Sequence, residues 1–507
     1  MRAREIRTRS AGGTLLLAAA LIAAAGCLAV AQPKSLTILH TNDIHASFVP
    51  HEAFWVKASP KPMIGGFSEL YFTVDSIRKA NPDVLVLDAG DVMTGNPITE
   101  RVYDGAYGGA LFAMMNMVGY DAWCIGNHDF DISQENLIRL TEIAKFPTLS
   151  ANIVNDHGSF PVGNKPFCIV EKAGLRIGII GVMSQDLYGL VNQNNLEGIR
   201  VLSPSGTVQK LVDELKQKTD LLIALTHEGV DDDSVLATNV SGLNIIVGGH
   251  SHTRLRKPKV VNGVIIVQTG SNCENLGVLD VQVENHQVVG ESGRLIPLWA
   301  REDRPKNRLT ALVDSMKGVI DEDYSQVIAT LDADWTRREG PSAIGDFIAE
   351  AQRAAAHADV GFMNDHGIRK DVLAGPITKR DLFEVLPFRN MLVTFQLSGA
   401  QLRSVMEYDL EKHPGIQVAG IDCSWKKNGD GTVTLHSLTV QGNPLDEKRM
   451  YVCAASDFFV GEAGKYLGVE VPRPIFLKQT VFEAVEKSLR TQQHITPALK
   501  YKLERVP

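Results

Sequence analysis

The sequence predicts an α/β protein in two parts, and three observations carry that expectation. Short unbroken aliphatic runs recur from residue 35 onward: SLTILH (35–40), VLVLDA (84–89), RIGIIGV (176–182), LLIALT (221–226), LNIIVG (243–248) and VIIVQT (264–269). Helical patterns stand between several of them, at 67–80, 106–118, 133–145 and 206–218. A charged stretch over 296–328 then divides the chain. Continuous Val/Ile/Leu runs suit strands covered on both faces, and their alternation with helices predicts layered sheets with helices outside.

The first 31 residues stand apart from that pattern. Arg2, Arg4, Arg7 and Arg9 precede GTLLLAAALIAAAGCLAVA, which runs from Gly13 to Ala31 without a charge. A basic start, an apolar run and small residues describe a secretory signal. Cleavage after Ala29-Val30-Ala31 is the first expectation. Ala24-Ala25-Gly26-Cys27 resembles a lipoprotein box, so a lipid anchor at Cys27 is the second. No other apolar run reaches the roughly 18–20 residues that a membrane span needs. The mature chain is therefore expected in an exported compartment, periplasmic or secreted, with no transmembrane helix.

The next segment, 35–295, holds the six aliphatic runs and forms the first domain. Segment 296–328 reads as a linker followed by an exposed helix, with Leu309, Leu312, Met316 and Ile320 at helical spacing. The remainder, 329–507, forms a smaller domain with a helix at 342–357 and strands at 358–363 and 391–397. Asn428-Gly429-Asp430-Gly431 between strand-like flanks predicts a hairpin turn. It lacks the alternating ligands and distal Glu of a calcium-binding EF-hand loop.

Composition narrows the function. The chain of 507 residues has 51 Lys plus Arg against 59 Asp plus Glu, a net charge of −8. Losing residues 1–31 removes four arginines and one glutamate and takes that to −11. A mildly acidic protein lacks the basic surface that binding a nucleic acid polymer needs. Six cysteines in this length are too few for a disulfide scaffold. Cys124, Cys168 and Cys453 lie in apolar runs and read as core, which leaves room for one disulfide at most.

The chemistry concentrates at strand ends. SLTILH leads into Asp43 and His45, VLVLDA into Asp91, AWCI into Asn127 and His128, LLIALT into His227, and LNIIVG into His250 and His252. Ligands bind at the carboxyl ends of strands in open α/β sheets. Oxygen and imidazole donors without thiolates suit Zn, Mn, Fe, Co or Ni better than soft metals. Asp43, His45, Asp91, Asn127, His227, His250 and His252 exceed the needs of one tetrahedral ion. They suffice for two, with one carboxylate bridging. Paired ions about 3.5–4 Å apart clamp the attacking and leaving oxygens of an in-line displacement. Each piece alone has a plainer reading, a turn, a cap or a surface histidine; the conjunction carries the metal site.

The set TNDIH, DAGD, GNHDFD, LTHEG and GGHSHT resembles the calcineurin-like metallophosphoesterases, and more narrowly the 5′-nucleotidase family. IGDFIAEAQ, FMNDHGIR, ITKRDLFEVLPF and SDFF extend the resemblance through the second half. It implies a four-layer α/β/β/α metallophosphoesterase domain joined by a helical linker to a smaller α/β C-terminal substrate-binding domain. It implies two divalent ions of the Zn, Mn or Co type. One would be held by Asp43, His45, Asp91 and His252, the other by Asp91, Asn127, His227 and His250. His128 would stabilise charge developing on phosphate, and Asp131 would orient His128 or, on the plainer reading, cap the helix begun by ISQENLIRL. Phe388 and Phe458 would sandwich a nucleobase, with Phe459, Phe383 and Phe395 competing for that role. Asn127, Asn364, Arg369 and, through a weaker match, Arg338 would touch substrate.

Two departures bear on the substrate. The family pattern NGGGIR reads NDHGIR here, with Asp365 and His366 replacing glycines. Gly461-Glu462-Ala463-Gly464 stands where the family has GGDG. Substituting glycines reshapes a pocket wall. The leading expectation is an exported two-metal phosphohydrolase acting on nucleotides. A 2′,3′-cyclic nucleotide phosphodiesterase, a UDP-sugar hydrolase, a sulfur-ester thiohydrolase and a metal-stabilised binding protein are the alternatives.

Overall fold

The structure is a computed structural model, and it describes residues 33–338, 340–413, 415–471 and 473–506. The expected signal and the alternative anchor at Cys27 lie outside the described residues. Two six-stranded sheets form the first domain. One runs in the order Gln287–Pro297, Asn275–Glu284, Lys34–Thr41, Leu85–Asp88, Ala122–Cys124, Thr148–Leu149. The other runs Phe167–Lys172, Leu175–Met183, Leu221–His227, Ile245–Gly248, Val264–Val267, Lys259–Val261. The strands that carry ligands are parallel neighbours: Lys34–Thr41 beside Leu85–Asp88, and Leu221–His227 beside Ile245–Gly248.

Alternation along each strand explains the stacking, since successive side chains point to opposite faces. Leu36 and Ile38 meet Ile177, Ile223 and Val247 between the two sheets. Leu39 points the other way, into a cluster with Phe67, Leu70, Phe112 and Leu137 from three covering helices. Ile180, Val182 and Ile246 likewise face outward from the second sheet, against Val208 and Leu236 of the helices Pro204–Leu215 and Val230–Asn239. Helix, sheet, sheet and helix make four layers.

The helix Arg308–Tyr324 corrects one expectation. Its apolar stripe is docked rather than exposed: Leu309, Val313 and Ile320 are buried in the first domain's outer cluster, with Leu312 and Met316 packed against it. A four-residue apolar repeat excludes water best against a partner, and the first domain supplies it.

The second domain centres on a five-stranded sheet in the order Ile416–Ala419, Val360–Asn364, Met450–Ser456, Met391–Ser398, Ile475–Thr480. The helices Ala343–Ala355 and Gly399–Lys412 cover it. Ile421–Lys427 and Val433–Val440 pair antiparallel across the Asn428–Gly431 turn, where Asp430 accepts from the Thr432 N–H at 3.0 Å. All five described cysteines are free thiols, four of them buried and Cys168 half-buried.

Candidate metal centre and substrate cleft

Strand ends from both sheets converge on one point. Asp43, His45 and His252 bring their donor atoms within 4.8 Å of one another, and Asp91, His227 and His250 do the same. Asp91 connects the groups: its Oδ2 lies 3.1 Å from His227 Nε2 and 3.9 Å from His45 Nε2. Asn127 Oδ1 lies 3.2 Å from His227 Nε2, and His45 Nε2 lies 2.9 Å from His252 Nε2.

The backbone is bent to reach this arrangement. Asp43, His45, Asp91, His250 and His252 all have positive φ, between 48° and 75°. L-residues adopt that region only where surrounding structure over-determines it, and such positions cluster at functional sites. The surrounding structure is visible here. Asp129 Oδ2 accepts from the Gly126 N–H at 2.7 Å, and Asp129 Oδ1 from the Val92 and Met93 N–H groups at 3.1 and 3.0 Å, tying the two loops together. A Cβ on Gly126 would stand 2.2 Å from Asp91 Oδ1, so only glycine lets the loops meet.

The donors fit divalent cations. His227 Nδ1 faces the Ala89 carbonyl at 2.7 Å and His45 Nδ1 the Thr94 carbonyl at 3.1 Å. Fixing one ring nitrogen in this way turns the other toward a metal. Burial and the neighbouring His252 hold His45 well below the usual imidazole range, and burial with His227 takes His250 down to about 4. Both are therefore neutral at pH 7, as ligation requires. Burial opposes a proton on His227, yet Asp91 and Asp43 push it up to about 10. The pocket carries an excess of negative charge that a cation can take up.

His128 lies beside this centre, its ring 5.4 Å from that of His45. Its Nδ1 is 2.8 Å from Asp131 Oδ2, which also accepts from Thr94 Oγ1 at 2.7 Å. Burial disfavours the imidazolium, but Asp131 and Asp91 outweigh it and raise the His128 pKa. Of the two readings of Asp131, the geometry carries the contact with His128. The cap of the helix Gln134–Ile143 is Ser133, whose hydroxyl accepts from the Asn136 N–H at 3.1 Å.

A cleft of about 1640 Å³ opens over the centre between the two domains. Arg369, Asn364, Phe388 and Phe458 line its second-domain wall. The Phe388 ring stands 5.5 Å from the His128 ring, with the Arg369 guanidinium 5.8 Å above it. Among the described residues Arg369 makes no ion pair, and the buried Asn364 Oδ1 accepts no hydrogen bond of ordinary geometry. Phe383, Phe395 and Phe459, the competitors for the clamp, are all core. Arg338 is not on this wall. It is exposed and turns back to the Pro341 carbonyl, while its neighbour Arg337 lines the cleft. Neighbouring residues of extended chain point in opposite directions, so of the two arginines it is Arg337 that lines the cleft. Asp129, Thr94 and Trp55 escaped the sequence reading. GNHDFD does contain Asp129, but nothing in the motif marks it as a staple between two backbone loops.

The domains meet through side chains. Arg389 grips Glu100 through two bonds of 2.9 and 2.7 Å and lies 4.6 Å over the Tyr107 ring. Asn96 donates to Glu384 at 3.1 Å and Asn192 to Asp457 at 3.1 Å.

Comparison with known proteins agrees with this layout. Residues 36–254 match the calcineurin-like phosphoesterase family and residues 327–468 the 5′-nucleotidase C-terminal domain. The chain is 31% identical to a human 5′-nucleotidase over 85% of its own length and 82% of that protein. A 5′-nucleotidase precursor from Thermus thermophilus superposes with a TM-score of 0.81 at 25% identity, over 93% of this chain and 100% of that one. The sulfate thiohydrolase SoxB of Thermus thermophilus shares the fold, with a TM-score of 0.77 at 20% identity over 93% and 96% of the two chains.

Proposed function

Because the chain belongs to the 5′-nucleotidase family of metal-dependent phosphoester hydrolases, we propose that it is an exported enzyme that releases phosphate from nucleotides with two divalent cations of the Zn, Mn or Co type. The observation that carries this reading is the pair of donor groups, with Asp91 of one lying 3.9 Å from His45 of the other, beneath a cleft whose opposite wall presents Arg369 and Phe388 beside His128.

Asp43, His45, Asp91 and His252 hold one cation, and Asp91, Asn127, His227 and His250 the other. Bound there, the cations supply Lewis-acid polarisation and ease the deprotonation of water near neutral pH. The protein's own groups do the rest. Arg369 pairs with the phosphate, a bidentate partner that stays charged at neutral pH. His128, with Nδ1 engaged by Asp131, presents Nε2–H to an equatorial phosphate oxygen as charge develops. Phe388 and Phe458 hold the flat base, worth about 1–3 kcal/mol per stacked base, and Asn364 offers a hydrogen-bond acceptor. Export rests on the basic start and apolar run of residues 1–31, with a lipid at Cys27 as the alternative form. No helix among the described residues is long and apolar enough to cross a membrane.

The test is phosphate release from AMP, UDP-glucose, 2′,3′-cyclic AMP and p-nitrophenyl phosphate by purified protein with Mn or Co, with and without EDTA, beside His128→Ala. Metal-dependent turnover of AMP well above p-nitrophenyl phosphate, lost in the variant, is expected. Turnover of the generic ester alone would reject the nucleotide pocket, and no turnover of any ester by metal-loaded protein would reject the reaction.

A further inference from the structure

The cleft is larger than the proposed substrate needs. About 1640 Å³ exceeds the roughly 300–1,000 Å³ typical of a small-molecule site, so a mononucleotide between Phe388 and the metal centre would leave part of the volume unfilled. The lining continues on the phosphoesterase side through His51, Phe54 and Trp55. Ring contacts mark its course: Phe388 lies 5.5 Å from His128, His128 5.4 Å from His45, and His45 4.9 Å from His252. Two residues beyond His252, the guanidinium of Arg254 stacks 5.2 Å from the centre of the Trp55 ring.

This end is built rather than incidental. Glu274 is 6% exposed; it pairs with Arg254 through Oε2, and its Oε1 lies 3.3 Å from His51 Nε2. Arg254 is thereby fixed on one side of Trp55, while Trp55 remains 50% exposed on the cleft wall. The segment is joined to the metal centre by its backbone, since the Asn272 N–H donates to the Asp43 carbonyl at 2.8 Å. The phosphoesterase side of the cleft also carries Asp231 and Asp232, a carboxylate pair that repels a phosphate. The exposed face of Trp55, backed by Arg254, offers a planar substituent on phosphorus a stacking surface.

We infer that Trp55, held by Arg254, is a second stacking platform that binds a planar group attached to the phosphoryl on the side away from Phe388 and Phe458. The site then takes phosphodiesters or pyrophosphates with a planar group at each end. The inference rests on the phosphohydrolase reading above. In a dinucleoside pyrophosphate, the water oxygen bonds to one phosphorus, the bridging P–O bond breaks, and the departing phosphate oxygen takes the proton. One molecule of substrate and one of water give two mononucleotides, so free phosphate appears only after a lag.

The experiment compares the full metal-loaded chain with Trp55→Ala and Trp55→Phe on diadenosine pyrophosphate and on AMP. Stacking of about 1–3 kcal/mol predicts a roughly tenfold or greater fall in kcat/KM for the pyrophosphate in Trp55→Ala. AMP turnover should stay within about twofold, and Trp55→Phe should restore most of the loss. An equal loss on both substrates, no loss on the pyrophosphate, or AMP turnover without pyrophosphate turnover in the parent protein overturns the inference. If the parent protein hydrolyses neither, the reaction reading fails, and calorimetry then decides the platform by itself. A dissociation constant for diadenosine pyrophosphate that rises tenfold in Trp55→Ala supports it, and an unchanged one overturns it.

Discussion

On the phosphoesterase side of the cleft, Asp43, Asp91, Asn127 and His227 are at most 2% exposed and stand at the ends of buried strands. On the second-domain side, Arg369, Phe388 and Phe458 are half-buried and stand on loops or a five-residue helix. The first wall is fixed by sheet packing, backbone bonds and left-handed turns. The second is placed by a few side-chain contacts across the boundary. Metal affinity and substrate choice should therefore respond to different mutations.

The largest effect should separate them most sharply. Asp91→Ala removes the carboxylate proposed to bridge the two cations and should lower kcat/KM about 10³-fold or more on every ester, as losing several kcal/mol of metal-derived stabilisation implies. Elemental analysis should show metal content falling with it. Phe388→Ala should leave metal content alone and cost AMP about tenfold in kcat/KM, with p-nitrophenyl phosphate within about twofold; equal losses on both would dissolve the distinction between the walls. Arg389→Ala cuts the Glu100 grip at the boundary. Its side chain is 42% exposed, so about 0.2–1 kcal/mol is at stake. KM for AMP should rise up to about fivefold with kcat unchanged.

The smallest effect tests how the second domain itself is held. Burial would raise the Glu350 pKa, but Arg353, Lys500 and Tyr501 bond its carboxylate and bring it down to about 2. A folded value below the unfolded one means that ionised Glu350 stabilises the protein above the ordinary carboxylate range. That contribution fades as pH falls from about 4.5 toward 2. Glu350→Gln should cost no more than about 1 kcal/mol at pH 7, since the pairs are half-exposed. The gap between variant and parent in urea unfolding should narrow as the solution is acidified through that window.

The sequence made the metal side legible for a physical reason. A strand buried on both faces must be aliphatic throughout, so its end is marked by the first polar residue, and five such ends carried His, Asp or Asn. The layered fold followed from the same runs. What stayed hidden depends on direction rather than residue type. Which arginine of Arg337 and Arg338 faces the cleft, whether Asp131 meets His128 or a helix end, and what covers the Arg308–Tyr324 stripe are settled only by the three-dimensional path. Trp55 carries no local pattern, because its partners Arg254 and Glu274 lie about two hundred residues away.

The docking of that helix has a practical corollary. Of the buried apolar clusters among the described residues, none crosses residue 326: Leu309, Val313 and Ile320 belong to the first domain, and the second begins at Ile328. The seam for exchanging substrate modules between homologues therefore falls at Ser325-Gln326, after the helix. A graft spliced at 296 would strip the metal-binding half of a covering helix and leave its donor with an unpartnered one. A graft at the later seam leaves polar side-chain pairs and the edge contact of Tyr324 with Phe383 to be rematched, which makes this chain a two-cassette chassis.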